Sequence, residues 1–261
     1  MPDSEALVAD AQLLFDTVRS AGDLGKSLSR KSVQKWSKPD GSEVTEADLA
    51  INALIEEQLR PARPSYGWLS EETPDDHARL SSDRIWIIDP IDGTRAFIQG
   101  RDEWCVAVAL IERGRPVAAA VYRPMVGEFY TAIAGRGAFL DSAPLSIPDS
   151  GNLHGAKISG NRKALSGLAA SGIEADVTGG LPLQLRLAYV AAGRIDGAVS
   201  IGNRNDWDLA AGDLLVIEAG GHVTNVEGAR YIYNRPDSWQ QGLVAAGAKR
   251  HAAIINALRI P

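Results

Sequence analysis

The chain has 261 residues, 45% hydrophobic and 23% charged, the balance of a globular protein with room for one large core or two closely packed halves. Its formal net charge is −6 and no basic block stands out, which argues against nucleic acid or an anionic membrane as a partner. The single cysteine, Cys105, excludes an intrachain disulfide and fits a reducing cytosol.

The N-terminal stretch MPDSEALVAD carries early acids and lacks a basic segment ahead of a long apolar core, so no signal peptide is expected. No apolar run approaches the roughly 20 residues needed to span a bilayer, and a cytoplasmic protein is the expectation. Residues 4–22 predict an amphipathic helix, with Leu7, Leu14 and Val18 on one side and Ala11 and Phe15 adjacent. The polar, Ser- and Lys-rich segment 26–41 reads as a loop or mobile flap. Thr45 stands three residues before Asp48 and ahead of the apolar pattern Leu49, Ile51, Leu54, Ile55, Leu59; this predicts a capped helix ended by Pro61 and Pro64. A short strand is expected over 66–70, running into Glu71-Glu72, followed by a polar loop over 73–82. The apolar residues 85–88 read as a buried strand. Strands over 104–111, 116–122 and 128–133, punctuated by Gly114 and Pro124-Met-Val-Gly127, predict a meander. Cys105 lies in the first of them and reads as a packed thiol. Helix 183–192, strand 195–200, helix 207–219, strand 221–226 and helix 250–258 then alternate. Helix-then-sheet order in both halves, 1–150 and 151–261, predicts a layered α/β sandwich in one domain.

The segment Trp86-Ile-Ile-Asp-Pro-Ile-Asp-Gly-Thr94 carries the chemistry. A buried strand ends in two carboxylates, Asp89 and Asp92, with Pro90 between them and a glycine turn just after. Carboxylate and carbonyl oxygens suit Mg2+. Backbone N–H groups after the turn can face an anion where a helix begins. The pattern predicts metal-assisted phosphate-ester hydrolysis. Such a reaction needs carboxylates converging from distant segments around two metals about 3.5–4 Å apart. Asp48, Glu71 and Asp208 complete the candidate set. Each also has a plain structural reading: Asp208 as a helix cap, Glu71 as a solvated loop acid, Asp48 as a first-turn residue favoured by the helix dipole. His77, His154, His222 and His251 match no motif position and read as structural or surface residues.

Val44-Thr-Glu-Ala-Asp48, Leu69-Ser-Glu-Glu72, the segment 86–94, Trp207-Asp-Leu-Ala-Ala-Gly212 and Glu218-Ala-Gly-Gly221 occur in this order along nearly the whole chain. In this the chain resembles the inositol monophosphatase superfamily of metal-dependent, lithium-sensitive phosphatases. The resemblance implies a five-layer αβαβα sandwich, a homodimer, and two or three Mg2+ ions per site. It implies that Glu71, Asp89 and the Ile91 carbonyl hold one metal and that Asp89, Asp92 and Asp208 hold another. Gly93 and Thr94 N–H groups would bind phosphate, Thr94 and Glu71 would orient water, and Asp48 would support Thr94. Lys38 would reach the site when its loop closes. Most of these groups lie in 1–150, and Asp208 in 151–261.

The resemblance is less definite about substrate. Ser200 occupies the position of the glutamate that contacts inositol hydroxyls in inositol-specific members, with one extra residue before Asp208. Residues 69–89 and Gly100-Arg-Asp-Glu-Trp104 resemble bacterial 3'(2'),5'-bisphosphate nucleotidases, and Asp92-Gly-Thr-Arg-Ala-Phe97 also resembles histidinol-phosphate phosphatases. A small phosphate monoester of the inositol monophosphate or adenosine 3',5'-bisphosphate type is therefore expected, with Ser200, Arg204 and Arg101 as candidate contacts beside Asp92, Gly93, Thr94 and Asp208. From a different class, some relatives act as regulators that bind the transcription machinery.

Overall fold

The computed structural model describes residues 4–30, 33–38, 41–148, 150–169, 172–173 and 180–259. Helix α1 (Ser4–Leu28) buries Leu7, Ala11, Leu14, Val18 and Ala21, spaced three and four apart on one face. It runs past the expected end at residue 22 because Leu24 and Leu28 continue that face onto the core. Within the segment that reads as loop, β1 (Lys35–Ser37) pairs antiparallel with β2 (Glu43–Thr45). Helix α2 (Glu46–Ala62) follows at once, and Pro61 sits inside its last turn rather than beyond it.

The strands β3 (Gly67–Ser70), β4 (Arg84–Asp92), β5 (Cys105–Glu112), β6 (Arg115–Arg123), β7 (Glu128–Ile133), β8 (Gly137–Leu140) and β9 (Ala143–Pro144) form one seven-stranded sheet in chain order. Only the β3–β4 pair is parallel, and the rest is the expected meander, lengthened by β8 and β9. Between β4 and β5 lies the short helix α3 (Thr94–Ile98). The C-terminal half supplies β10 (Ile158–Gly160), α4 (Arg162–Leu168), α5 (Leu183–Ala191), β11 (Gly197–Asn205), α6 (Asp206–Glu218), β12 (Gly221–Thr224), β13 (Trp239–Gly247) and α7 (Ala248–Leu258). Its four strands pair in the order β10-β11-β13-β12.

Burial sorts these elements into layers. On one face of the large sheet Trp86, Ile88, Val106, Val108 and Leu110 pack under α1 and α2. The alternate residues Ile85, Ile87, Cys105, Ala107 and Ala109 face the other way, onto α5 and α6, whose far sides meet Ala198, Val223, Leu243 and Ala245 of the small sheet. That sheet turns Ile158, Val199, Val244 and Ala246 outward under α4 and α7. The result is the five-layer αβαβα sandwich. Cys105 is fully buried on β5, facing the middle layer, where burial above all, and then Asp92 and Asp89, push its thiol pKa up. Among the described residues no helix is long and apolar enough to cross a membrane.

Candidate active site

Parallel pairing of β3 with β4 brings their C-terminal ends together. Glu71, the residue after β3, donates its N–H to the Ile88 carbonyl at 3.2 Å, which seats it beside Asp89. A regular strand would send Asp89 and Asp92, three apart, to opposite faces. The β4–β5 register shifts between them: Asp89 faces Ala107 and Asp92 faces Cys105, so three steps on one strand match two on the other. That bulge turns Asp92 onto the same face as Asp89, toward α5 and α6. The turn continues through Gly93 at φ 102°, where a side chain would also meet the Glu103 carbonyl at 2.9 Å. The N–H groups of Gly93 and Thr94 then open α3, where helix geometry leaves them without an intrahelical acceptor.

The helices deliver the remaining groups. In the capping box of α2 the Thr45 hydroxyl accepts from the Ala47 and Asp48 N–H groups, and the Asp48 carboxylate accepts from the Thr45 N–H at 2.8 Å. The other Asp48 oxygen accepts from the Thr94 hydroxyl at 3.2 Å; that hydroxyl also stands 3.1 Å from the Ile91 carbonyl. Asp208 closes an equivalent box on α6, accepting from the Asn205 N–H at 2.8 Å, so the cap reading holds together with its place in the site. Asp92 accepts from the Gln184 N–H at 2.6 Å at the start of α5.

Glu71, Asp92, Gly93, Thr94 and Asp208 line one cleft of about 510 Å3, together with Arg186 and Arg204. Asp89 lies beneath it, 2% exposed, with Oδ1 buried and without a hydrogen-bond partner. Burial, then the charges of Glu71, Asp92, Asp208 and Asp48, raise its pKa. Burial and Asp208 push Asp92 up to about 8 against the pull of the Gln184 N–H. Burial pushes Asp208 up to about 6, opposed by the Asn205 N–H and by Arg204. Asp48 is raised by burial, with its bonds to Thr45 and Thr94 opposing. The only ammonium against this cluster is that of Lys38, 3.0 Å from Glu71 and 2.7 Å from Glu72, among the described residues. Burial lowers its pKa, and the two glutamates outweigh burial and hold it above the ordinary value.

These residues fit hard divalent cations. The donor set is all oxygen, its charges repel one another, and the Asp89 Oδ1 has no protein donor to satisfy it. As the side chains stand, no three His, Cys, Asp or Glu among the described residues enclose an ion outright, and Glu71 is paired with Lys38.

Two expected contacts are placed elsewhere. Ser200 is fully buried, and its hydroxyl accepts from Arg204 at 2.6 Å, so it meets the cleft only through that arginine. Arg101 is half exposed, pairs with Glu103 at 3.1 Å, and does not line the cleft. None of the four histidines lines it either.

A profile of the inositol monophosphatase family matches residues 7–260. The inositol-1-monophosphatase of Mesorhizobium japonicum is 34% identical over 97% of this chain and 98% of its own. The chain belongs to the inositol monophosphatase family. It is accordingly a phosphoric monoester hydrolase by descent. Nus factor SuhB of Salmonella typhimurium strain LT2 is 35% identical over 83% of this chain and 86% of its own. The crystal structure of extragenic suppressor protein suhB from Bartonella henselae superposes with a TM-score of 0.83 at 29% identity, covering 95% and 98% of the two chains.

Several groups that hold this family member's site escape a motif reading. Gln184, fully buried, positions Asp92 by its N–H and ties α5 to α6 by its side chain, which donates to the Trp207 carbonyl at 2.7 Å and accepts from the Gly212 N–H at 2.7 Å. Asn52 bonds Ser70 at 2.6 Å and Thr73 at 3.1 Å, fixing the turn that carries Glu71. An amide in an otherwise apolar helical stretch was the available signal for both.

Proposed function

We propose that the protein hydrolyses a small phosphate monoester with Mg2+ and water, with no covalent enzyme intermediate. The observation carrying this reading is the β4 bulge, which puts Asp89 and Asp92 on one face beside Glu71 and Asp208, with a buried Asp89 oxygen lacking any protein donor. Asp89, Glu71 and the Ile91 carbonyl would hold one ion, and Asp89, Asp92 and Asp208 a second. Divalent ions held there make water nucleophilic near neutral pH and offset the charge gathering on phosphate and leaving oxygen. The N–H groups of Gly93 and Thr94 would grip phosphate oxygens. Glu71 and the Thr94 hydroxyl, itself held by Asp48, would aim the water along the line of displacement. Lys38 would keep Glu71 and Glu72 from repelling the incoming dianion. Asp206 opens the same helix as Asp208, yet its carboxylate accepts from the Gln240 side chain and the Asn234 N–H, so it is a structural acid.

The same reading carries lithium inhibition, a homodimer and a cytosolic setting as expectations. It is tested by phosphate release with Mg2+ from inositol 1-phosphate, adenosine 3',5'-bisphosphate, histidinol phosphate and fructose 1,6-bisphosphate. Mg2+-dependent turnover of at least one is expected. Silence on all, with Mg2+ bound, would overturn it and favour a binding role, which the relatives named Nus factor SuhB bring forward as the second reading.

A further inference from the structure

The same cleft is lined by two guanidinium groups, Arg186 on α5 and Arg204 at the end of β11. Among the described residues, both are hydrogen-bonded only to neutral oxygens. Arg186 donates to the Leu181 carbonyl at 2.7 Å, and Arg204 to the Asn203 carbonyl at 2.8 Å and the Ser200 hydroxyl at 2.6 Å. They are near enough to disfavour each other's charge: burial lowers the pKa of Arg186, Asp92 pulls it up, and Arg204 lowers it again.

The placement of Arg204 is built. Between Ser200 and Asn203 the β11 register against β13 shifts, Ser200 facing Leu243 and Asn203 facing Gln241. The extra residue is absorbed through Gly202 at φ 111°, a conformation suited to glycine. The bulge re-aims the strand end so that Arg204 lines the cleft while Ser200 anchors it from behind. Among the described residues neither guanidinium makes a direct ion pair, Asp92 and Asp208 acting on them only through space, and partly buried like charges so placed are costly. A dianion reaching both would relieve that cost through charge-assisted, fork-shaped hydrogen bonds. The scissile phosphate already has its place at the carboxylates and the Gly93–Thr94 turn. A neutral polyol would give neither cation a direct ionic partner.

We propose that Arg186 and Arg204 form a subsite for a second phosphate, so that the preferred substrate is a phosphate monoester whose alcohol carries another phosphate group. This rests on the phosphatase reading above.

The test is a matched pair, adenosine 3',5'-bisphosphate against adenosine 3'-monophosphate, assayed for phosphate release with saturating Mg2+. The wild-type protein is expected to favour the bisphosphate in kcat/KM by about tenfold or more, the scale of a charge-assisted contact. Arg186→Gln and Arg204→Gln are each expected to cut that ratio at least about fivefold, and Arg186→Lys to retain more of it. A wild-type ratio near one would overturn the subsite. So would a ratio unchanged in both Gln variants, because arginines that merely position Asp92 and Asp208 would slow both esters alike. Absence of turnover on either ester, and on the wider panel, would instead overturn the phosphatase reading itself.

Discussion

Asp92 is held by one oxygen and exposed to repulsion by the other. The Gln184 N–H anchors Oδ2 at 2.6 Å, while burial and Asp208 keep the carboxyl pKa up at about 8. A neutral Asn would accept the same backbone bond but could not replace an anionic ligand. Asp92→Asn is therefore expected to lower kcat at least about a hundredfold with little change in the fold, and Asp208→Asn likewise. Near-wild-type kcat at wild-type Mg2+ affinity in either variant would remove these residues from the metal site. Gln184→Ala removes only the side-chain ties to Trp207 and Gly212 and leaves the N–H to Asp92 in place. Its effect should appear first as lost stability, on the order of 2 kcal/mol for two buried hydrogen bonds, readable in urea denaturation.

At the scale of elements, the start of α2 shows how a local rule becomes chemistry. The same Asp48 carboxylate that closes the capping box with Thr45 offers its second oxygen to the Thr94 hydroxyl. Thr45→Ala is expected to cost about 1–2 kcal/mol of stability as a lost cap. Beyond that it should reduce kcat several-fold, because Asp48 loses the Thr45 hydroxyl that fixes it at 2.6 Å. Thr45→Ser should restore most of both. Full activity in the Ala variant would separate the cap from the site. Such elements were legible because their signals are local: the cap before α2, the apolar face of α1, the alternation of the meander. Strand β13 was not. Its Trp-Gln-Gln-Gly-Leu-Val-Ala-Ala-Gly run has weak strand propensity, and pairing with β11 on one side and β12 on the other decides it. The bulges were hidden for a related reason. The extra residue before Asp208 was visible as a length difference, but only the β13 register shows that it swings Arg204 into the cleft and Ser200 out of it. Arg186 carried no signal, since its place near Arg204 in the cleft is set by tertiary packing.

Over the whole molecule, buried negative charge opposes folding at several places, and two of them have separate readouts. The first is the cleft, where Mg2+ would offset the repulsion among Glu71, Asp89, Asp92 and Asp208; millimolar Mg2+ is expected to raise Tm, and no shift would count against a metal cluster there. The second is Asp213, on α6 in the middle layer, and it should set a pH dependence separate from the site. It is 4% exposed; Oδ2 accepts from the Tyr233 hydroxyl at 2.8 Å, and Oδ1 has no partner. Burial pushes its pKa up to about 7, against the Tyr233 bond and the more distant charges of Arg115 and Arg230. A carboxyl raised on folding stabilises the folded state fully only below its unfolded value, and that contribution is lost as pH rises through the folded value. The wild-type protein should therefore lose stability between about pH 4 and pH 7 from this group, by up to about 4 kcal/mol, and change little from it above pH 8. Asp213→Asn keeps an acceptor for Tyr233 and cannot ionise. Its own packing cost is constant with pH, so the slope of the comparison is the informative quantity. Urea denaturation of both proteins without Mg2+, from pH 5 to pH 8.5, is expected to show the variant gaining steadily on the wild type up to about pH 7 and then running parallel to it. Parallel curves over the whole range would mean that Asp213 is ionised in the folded core at all these pH values and that Tyr233 alone suffices to hold its charge.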